Sequence, residues 1–313
     1  DDAAVIEAGD GALVVTTDLL VERVHFLRGT ISFRQLGYKA LAVNLSDIAA
    51  MGAVPQEAFI SIAIPPTVSV EELDDLYDGM KDLAAATGVN LLGGDTTGSK
   101  ADLCINVAVT GSVPRDQVLY RSGARPGDRI VVTGTLGDSA GGLTVLLERP
   151  ALPDDAAQAL LDAHYLPELY LTEARILAAS GAAHAAIDLS DGLASDLRHV
   201  CRGSGVGAIV DERSLPLSDA LRLLCAATGH DILRLALAGG EDYRLLATVD
   251  AIRVEELRAE VAVRTGRSLF DIGEIVPGDS LELRRADGTI GALTMSGFDH
   301  FPVPARPSAA EAP

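Results

Sequence analysis

YKALAVNLSDIAAMGA, residues 38–53, sits in a segment with helical periodicity over 33–51 that stops at Gly52, where a glycine can end a helix at least backbone cost. It also carries an aspartate, Asp47, among small side chains. Working outward, 12–17 is a Val-rich strand that ends in Asp18, and 57–64 is an apolar strand closed by Pro65-Pro66. Ser69 with Glu72 three residues on forms a capping box that opens a helix running to Gly88. Residues 89–92 are a buried strand feeding Gly93-Gly94-Asp95, and 102–113 alternates as a further strand. Strands alternating with helices predict an α/β chain.

Gly, Pro and Arg crowd 111–127, which marks a domain junction. The expected division is 1–115 and 116–313. The second part predicts strands at 129–133, 185–188, 208–210, 243–249, 270–275 and 281–284. Helices are expected at 138–148, 155–163, 168–180, 192–202, 217–227, 231–237 and 252–264. The chain has 313 residues, about right for two domains. Hydrophobic content is 48% with only 4% aromatic and no Trp, so Ala, Val, Leu and Ile must fill the cores.

Net charge is −20, which argues against nucleic acid or an anionic membrane as partner. No run of about 18 apolar residues escapes interruption, so no membrane span is expected. The three cysteines, Cys104, Cys201 and Cys225, lie far apart. With no CxxC pair, zinc ribbons and redox dithiols are disfavoured, and the sparse count fits a reducing cytoplasm. The first residues, Asp1-Asp2, lack the basic-then-apolar pattern of a signal peptide. With 25 Lys+Arg against 45 Asp+Glu, a chain that handles phosphates must recruit its positive charge. Mg²⁺ held on carboxylates supplies it, so ATP binding here implies Mg²⁺.

Aspartates recur at expected strand ends and in Gly-rich loops: Asp2, Asp18, Asp47, Asp95, Asp188 and Asp191. Each alone is as well explained as a helix cap or turn residue. Six across both halves form a metal-binding pattern, with Thr16, Thr17 and Ser190 offering neighbouring oxygens. Residues 93–100, GGDTTGSK, imitate a P-loop, but Ser99 precedes Lys100 where the order must be reversed, and Asp95 would repel a bare phosphate. No GxGxxG follows a first strand, and no HExxH or Ser-His-Asp arrangement occurs. His25, in VExxHF just past Asp18, is either a half-buried structural histidine or a ligand. His164, His184, His199, His230 and His300 look structural or exposed. Glu241, after Gly239-Gly240, is either a turn into a strand or a second acidic site. Arg121, at the junction, is either a phosphate clamp or an interdomain ion pair.

In this order the motifs resemble those of the thiamine-monophosphate kinase family, in the superfamily of aminoimidazole ribonucleotide synthetase. The strings are DDAA (1–4), TTDLLVERVHF (16–26), YKALAVNLSDIAAMGA (38–53), GGDTTG (93–98), YRSGARPGD (120–128), VTGTLGDSAGG (132–142), IDLSDGLASDL (187–197), GGEDY (239–243) and GFDHF (297–301). VExxHF, DLSDGL and GGEDY point to the kinase. The missing Cys beside the Asp-rich start disfavours selenophosphate synthetase, and the acidic GGED disfavours aminoimidazole ribonucleotide synthetase. A regulatory protein without turnover is the rival of another class. Family members carry a helix and a Gly ahead of the DDAA string, which here begins the chain.

The resemblance implies a ferredoxin-like first domain whose mixed sheet pairs with its twin into a barrel, hence a homodimer, with ATP between the domains near that seam. It implies Mg²⁺ on Asp2, Thr16, Thr17, Asp18, Asp47, Asp95, Asp188 and Asp191. ATP contacts would be Gly94, Asp95, Arg121 and Ser190. Thiamine monophosphate would meet His25, Glu241 and Phe298. The reaction implied is transfer of the γ-phosphoryl group of ATP to thiamine monophosphate, directly, giving thiamine diphosphate and ADP. The acceptor phosphate has a second pKa near 6 and is largely dianionic at pH 7, so no general base is expected.

Overall fold

A computed structural model gives the structure of the chain and describes residues 1–9, 11–295 and 297. The first part builds β1 (Ala4–Ala8), β2 (Gly11–Val21), α1 (Phe33–Ala50), β3 (Val54–Ile64), α2 (Val70–Thr87), β4 (Asn90–Gly98) and β5 (Cys104–Pro114). Its five strands lie in the order β1-β2-β5-β3-β4. β3 and β4 are parallel and joined through α2, while the other neighbours are antiparallel. One face of the sheet is covered: Val14, Leu20, Ile60, Ile62, Ile105, Val107 and Val109 are buried against the helices. Alternation along the strands sends Val15, Thr17, Leu19, Phe59, Ser61 and Asn106 to the other face, which nothing among the described residues covers as fully.

The second part begins with β6 (Arg129–Val132), α3 (Asp138–Glu148), α4 (Asp154–Tyr165), α5 (Leu171–Ala179), β7 (Ala183–Asp188), α6 (Leu193–Ser204) and β8 (Gly207–Asp211). It continues with α7 (Asp219–Thr228), α8 (Ile232–Ala238), β9 (Leu245–Val249), α9 (Val254–Thr265), β10 (Phe270–Val276), β11 (Leu281–Arg284) and β12 (Ile290–Ala292). Seven strands run in the order β12-β11-β8-β10-β6-β9-β7. Both faces are covered, and β6 shows how: Ile130 and Val132 join a core with residues of α6 and α8, whereas Val131 joins one with residues of α5 and α9. The chain is thus a mixed α/β protein with two sheets. No helix among the described residues is long and apolar enough to cross a membrane.

Helix α1 is the hinge piece of the architecture. Ser32 and Gln35 form its capping box. One side packs on the first sheet and α2, the other on α4, α5, β7 and β9 of the second part. That double burial explains why its polar residues Lys39, Asn44 and Ser46 are buried as well as its apolar ones. The crossing with α2 is close because Gly37 and Gly79 face each other's helix: a Cβ at Gly37 would meet the Leu76 carbonyl oxygen at 1.9 Å, and one at Gly79 the Arg34 oxygen at 1.9 Å.

Two expectations from sequence change in the first sheet. The first strand does not end at Asp18 but continues to Val21, with Asp18 paired to Val107 in the β2–β5 ladder. The polar run Thr16-Thr17-Asp18 disguises it. Asn44 Oδ1 accepts the Asp18 N–H at 3.0 Å and Asn106 Nδ2 donates to the Asp18 carbonyl at 2.9 Å. Gly93-Gly94-Asp95, expected as a loop, is extended within β4 and pairs with β3. Gly94 permits this, since its φ is 152° and a Cβ there would sit 1.6 Å from the Ile60 oxygen.

Candidate active site

Three aspartates from distant segments meet where the two parts join. Asp2 comes from the chain start, Asp47 from the last turn of α1 and Asp188 from the end of β7, and one oxygen of each lies within 4.8 Å of the others. The Thr16 hydroxyl, on the covered face of β2, donates to Asp47 Oδ2 at 2.5 Å. The Ser46 hydroxyl donates to Asp188 Oδ2 at 2.7 Å. Asp2 Oδ1 accepts both Nε and Nη2 of Arg121, at 3.2 and 2.6 Å. Asp2 Oδ2 is buried and has no hydrogen-bond partner among the described residues.

The electrostatics follow. Burial, and then the charges of Asp47 and Asp2, hold the Asp188 carboxyl well above the usual carboxylate range. Asp47 is likewise pushed well up by burial and by Asp18. Asp2 is raised by burial in spite of Arg121, and Asp18 by burial. One arginine cannot neutralise this set. An all-oxygen donor set with an orphaned buried oxygen fits a hard divalent cation such as Mg²⁺.

Beside the cluster opens a cavity of about 380 Å³, whose walls include Asp18, His25, Ser190, Asp191 and Glu241. His25 Nδ1 accepts the Val21 N–H at 3.0 Å, which turns the ring back toward β2. Asp191 and Gly192 donate their N–H groups to Asp196 Oδ2 at 3.2 and 3.0 Å. Burial, then the Asp191 charge, pushes the Asp196 carboxyl up to about 8 despite those bonds.

The segment Gly239–Tyr243 folds by sending successive residues to different neighbours. Glu241 and Tyr243 are left-handed, with φ of 66° and 49°, a strained choice for non-glycine residues. The Glu241 N–H donates to the Ser190 carbonyl at 2.7 Å and the Tyr243 N–H to the Leu189 carbonyl at 2.9 Å, tying the loop to the aspartate-bearing turn after β7. Between them, the Asp242 carboxylate accepts the N–H groups of Gly137 and Ser139 at 2.6 and 3.1 Å, at the start of α3. Burial nonetheless lifts Asp242 to about 7. The strand expected from Tyr243 therefore starts at Leu245.

Glu241 is held from beneath. Lys39 Nζ lies 3.1 Å from Glu241 Oε1 and donates to the His164 carbonyl at 2.9 Å. His164 Nδ1 is 3.5 Å from Glu241 Oε2 and 3.0 Å from Ser139 Oγ. Burial and then Lys39 push His164 down to about 4, so its ring is neutral at pH 7. A free Glu or Lys side chain carries about 1.5–2 kcal/mol of rotamer freedom. This network removes that freedom before any ligand arrives.

The sequence candidates thus divide. Asp2, Thr16, Asp47, Asp188 and Arg121 form the cluster, and Asp18, His25, Ser190, Asp191 and Glu241 line the cavity. Thr17 points to the other face of β2, where its hydroxyl accepts from Asn106 at 2.8 Å. Gly94 and Asp95 lie three strands away on β4, roughly 14 Å at ordinary strand spacing, beside a second cavity of about 840 Å³ shared with Tyr77 and Lys81. Phe298 lies outside the described residues. Its neighbour Gly297 donates its N–H to Ser195 Oγ at 2.9 Å. Sequence reasoning missed Lys39, Ser139 and Tyr243, and set His164 aside. Lys39 had a readable signal: it falls three residues after Leu36 and four before Val43, on an apolar helix face.

The family described as AIR synthase related protein, N-terminal domain, matches residues 1–113, and that described as AIR synthase related protein, C-terminal domain, matches residues 125–285. The chain is 41% identical over 311 residues to the thiamine-monophosphate kinase of Salmonella typhimurium, covering 97% of this chain and 91% of that protein. It is 35% identical over 305 residues to the thiamine-monophosphate kinase of Bacillus subtilis, covering 96% and 92%. A solved structure described as AaThiL complexed with AMPPCP and TMP superposes with a TM-score of 0.86 at 33% identity, covering 96% of this chain and 91% of that one.

Proposed function

This chain belongs to the thiamine-monophosphate kinases of the AIR synthase related family, and we propose that it moves the γ-phosphoryl group of ATP directly onto the phosphate of thiamine monophosphate with the help of Mg²⁺. The observation that carries the reading is the junction of the Asp2/Asp47/Asp188 cluster with a cavity walled by Asp18, His25 and Glu241. A relative of the same fold has been solved with AMPPCP and TMP.

The obstacle to such a transfer is repulsion between two polyanions, not a shortage of nucleophile. Two unit charges 4 Å apart repel by about 1 kcal/mol in water and by about 4 kcal/mol at an effective dielectric of about 20. Asp2, Asp18, Asp47, Asp188 and Asp191 would hold Mg²⁺, with Asp95 and oxygens of Thr16 and Thr17 completing the set, and the bound ion would supply neutralisation of the phosphate oxygens. The chain's own groups do the positioning. Thr16 and Ser46 orient the carboxylates of Asp47 and Asp188 through their hydroxyls. Arg121 anchors Asp2 and can turn to a phosphate oxygen. His25 and Glu241 face the acceptor, with Glu241 set against its cationic thiazolium or its pyrimidine amine, and Phe298 stacking on a ring. Ser190, Gly94 and Asp95 serve the nucleotide. No residue acts as general base, because the acceptor oxygen is already ionised.

A homodimer belongs to this reading. The uncovered face of the first sheet exposes Leu19, Phe59 and, on β1, Ile6, and a second copy laid against it closes a barrel. Asp95 shares that face with Leu19, Asn106 and Ser61 through the strand register. A rigid sheet cannot carry it to its own chain's cluster, so Asp95 acts across the seam. The nucleotide then lies between residues 1–115 of the first domain and 116–313 of the second, next to the dimer interface. The compartment that suits its substrates and reduced cysteines is the cytoplasm.

The test is ATP-dependent conversion of thiamine monophosphate, followed by fluorescence of the oxidised diphosphate product, with and without Mg²⁺. Product that requires Mg²⁺, with thiamine itself unreactive, is expected. Tight ATP binding without product would move the acceptor to another chemistry of the superfamily.

A further inference from the structure

Lys39 is 1% exposed, yet it is a lysine in the middle of a helix. A methionine of similar length would fill the same space without taking an ammonium out of water, and well-packed apolar residues often replace buried ion pairs without loss of stability. The charge therefore needs an explanation in what it holds. Its ammonium meets two acceptors: the His164 carbonyl at 2.9 Å and Glu241 Oε1 at 3.1 Å. His164 is neutral at pH 7, so Lys39 is the cation that meets Glu241. Glu241 is itself on a left-handed backbone, tied to Ser190 by its N–H, and its side chain is part of the walls of two adjoining cavities. The smaller, about 190 Å³, is walled by Phe26, Ile31, Leu146, Leu147 and Tyr165, with Lys39, His164 and Glu241 among its polar lining.

We propose that Lys39 is a positioning residue for the acceptor: it clamps one oxygen of Glu241 and so aims the other at the cationic heteroaromatic part of the substrate. This rests on Glu241 being an acceptor contact. Lys39 has no part in ATP binding, since its ammonium is enclosed between α1, the end of α4 and the Glu241 loop. An unclamped Glu241 would sample rotamers that leave the cavity, and binding of the cation would have to order it again. The cost falls on acceptor binding in ground and transition state alike, which raises KM and leaves kcat unchanged.

The experiment compares wild type, Lys39→Met, Glu241→Gln and the double variant, with KM for thiamine monophosphate, KM for ATP and kcat measured for each. The double variant keeps the question answerable if Lys39→Met alone strands Glu241 and folds poorly, because it removes both charges. Each single variant is expected to raise KM for thiamine monophosphate by about tenfold, with kcat and KM for ATP within about twofold of wild type. The double variant is expected to be no worse than the worse single, as for residues acting through one contact. Wild-type KM in Lys39→Met, equal effects on both substrates, a fall in kcat alone, or strictly additive losses overturns the inference while leaving Glu241 in place. An unaltered KM in Glu241→Gln removes the Glu241 contact and the inference with it, and leaves the kinase reading standing. Absence of product from wild type defeats the kinase reading itself.

Discussion

Replacing Asp188 by Asn should stabilise the metal-free protein and abolish its stabilisation by Mg²⁺. Asp188 brings a carboxylate oxygen within 4.8 Å of both Asp2 and Asp47. At that distance and an effective dielectric of about 20, each fully ionised pair costs about 3.5 kcal/mol, so Asp188 takes part in repulsion of up to about 7 kcal/mol. Two effects reduce this. Arg121 offsets the charge of Asp2, and protonating one carboxyl at pH 7.5 instead costs only about 5 kcal/mol. A net gain of about 1–3 kcal/mol for Asp188→Asn is expected, a rise in Tm of roughly 2–6 °C. Asparagine keeps the acceptor for the Ser46 hydroxyl, so no new buried vacancy arises. Wild type should gain about 2.7 kcal/mol at Mg²⁺ a hundredfold above its Kd, and the variant almost nothing. Thermal unfolding with and without Mg²⁺ reads both effects. The sign with pH is also set. Asp47 and Asp188 hold protons more tightly folded than unfolded, so their contribution to the stability of the metal-free fold is fully present below about pH 4 and is lost as pH rises through their raised pKa values. Mg²⁺ competes with those protons, so its increment should grow over the same rise. A variant less stable than wild type without metal, or one that keeps its Mg²⁺ increment, would refute the repulsion argument.

Asp18→Asn should cut kcat on the order of a hundredfold without lowering Tm, because the fold uses its backbone N–H and carbonyl and its carboxylate only adds to the repulsion on Asp47; wild-type turnover would remove Asp18 from the site. If Asp95 acts across the seam, Asp95→Asn and Asp188→Asn should each be inactive alone, while co-refolded mixtures recover about a quarter of wild-type activity, since half the dimers then hold one intact site. No recovery would return Asp95 to its own chain's site. Gly297→Ala places a Cβ 1.7 Å from the Asp191 oxygen, so the segment must leave its seat, and KM for thiamine monophosphate should rise about tenfold; an unchanged KM would detach that segment from the cavity.

The local pattern of the chain carries its architecture far. Ser69-x-x-Glu72 and the apolar spacing of 33–51 describe helices that form in the structure, because capping and periodicity act within a turn or two. Alternation did the same for 102–113. Local pattern misread elements whose conformation depends on a neighbour. Asp18 is mid-strand because β5 and Asn44 satisfy its backbone, and Gly93-Gly94-Asp95 is extended because Ile60 passes close by. Tyr243 is left-handed because residues on either side of Asp242 are tied to the turn after β7.

The site divides in the same way. Sequence alone could single out acidic residues among small ones and propose Mg²⁺ from the shortage of basic residues. It could not say which aspartates meet. Asp2, Asp47 and Asp188 converge through the packing of α1 between two sheets, and nothing in a segment's own composition encodes a partner more than a hundred residues away. Nor could it distinguish Thr16 from Thr17, whose hydroxyls face opposite sides of β2. The Lys39–Glu241–His164 contact is tertiary in the strict sense: three ordinary residues become a clamp only when burial makes the ammonium depend on the carboxylate.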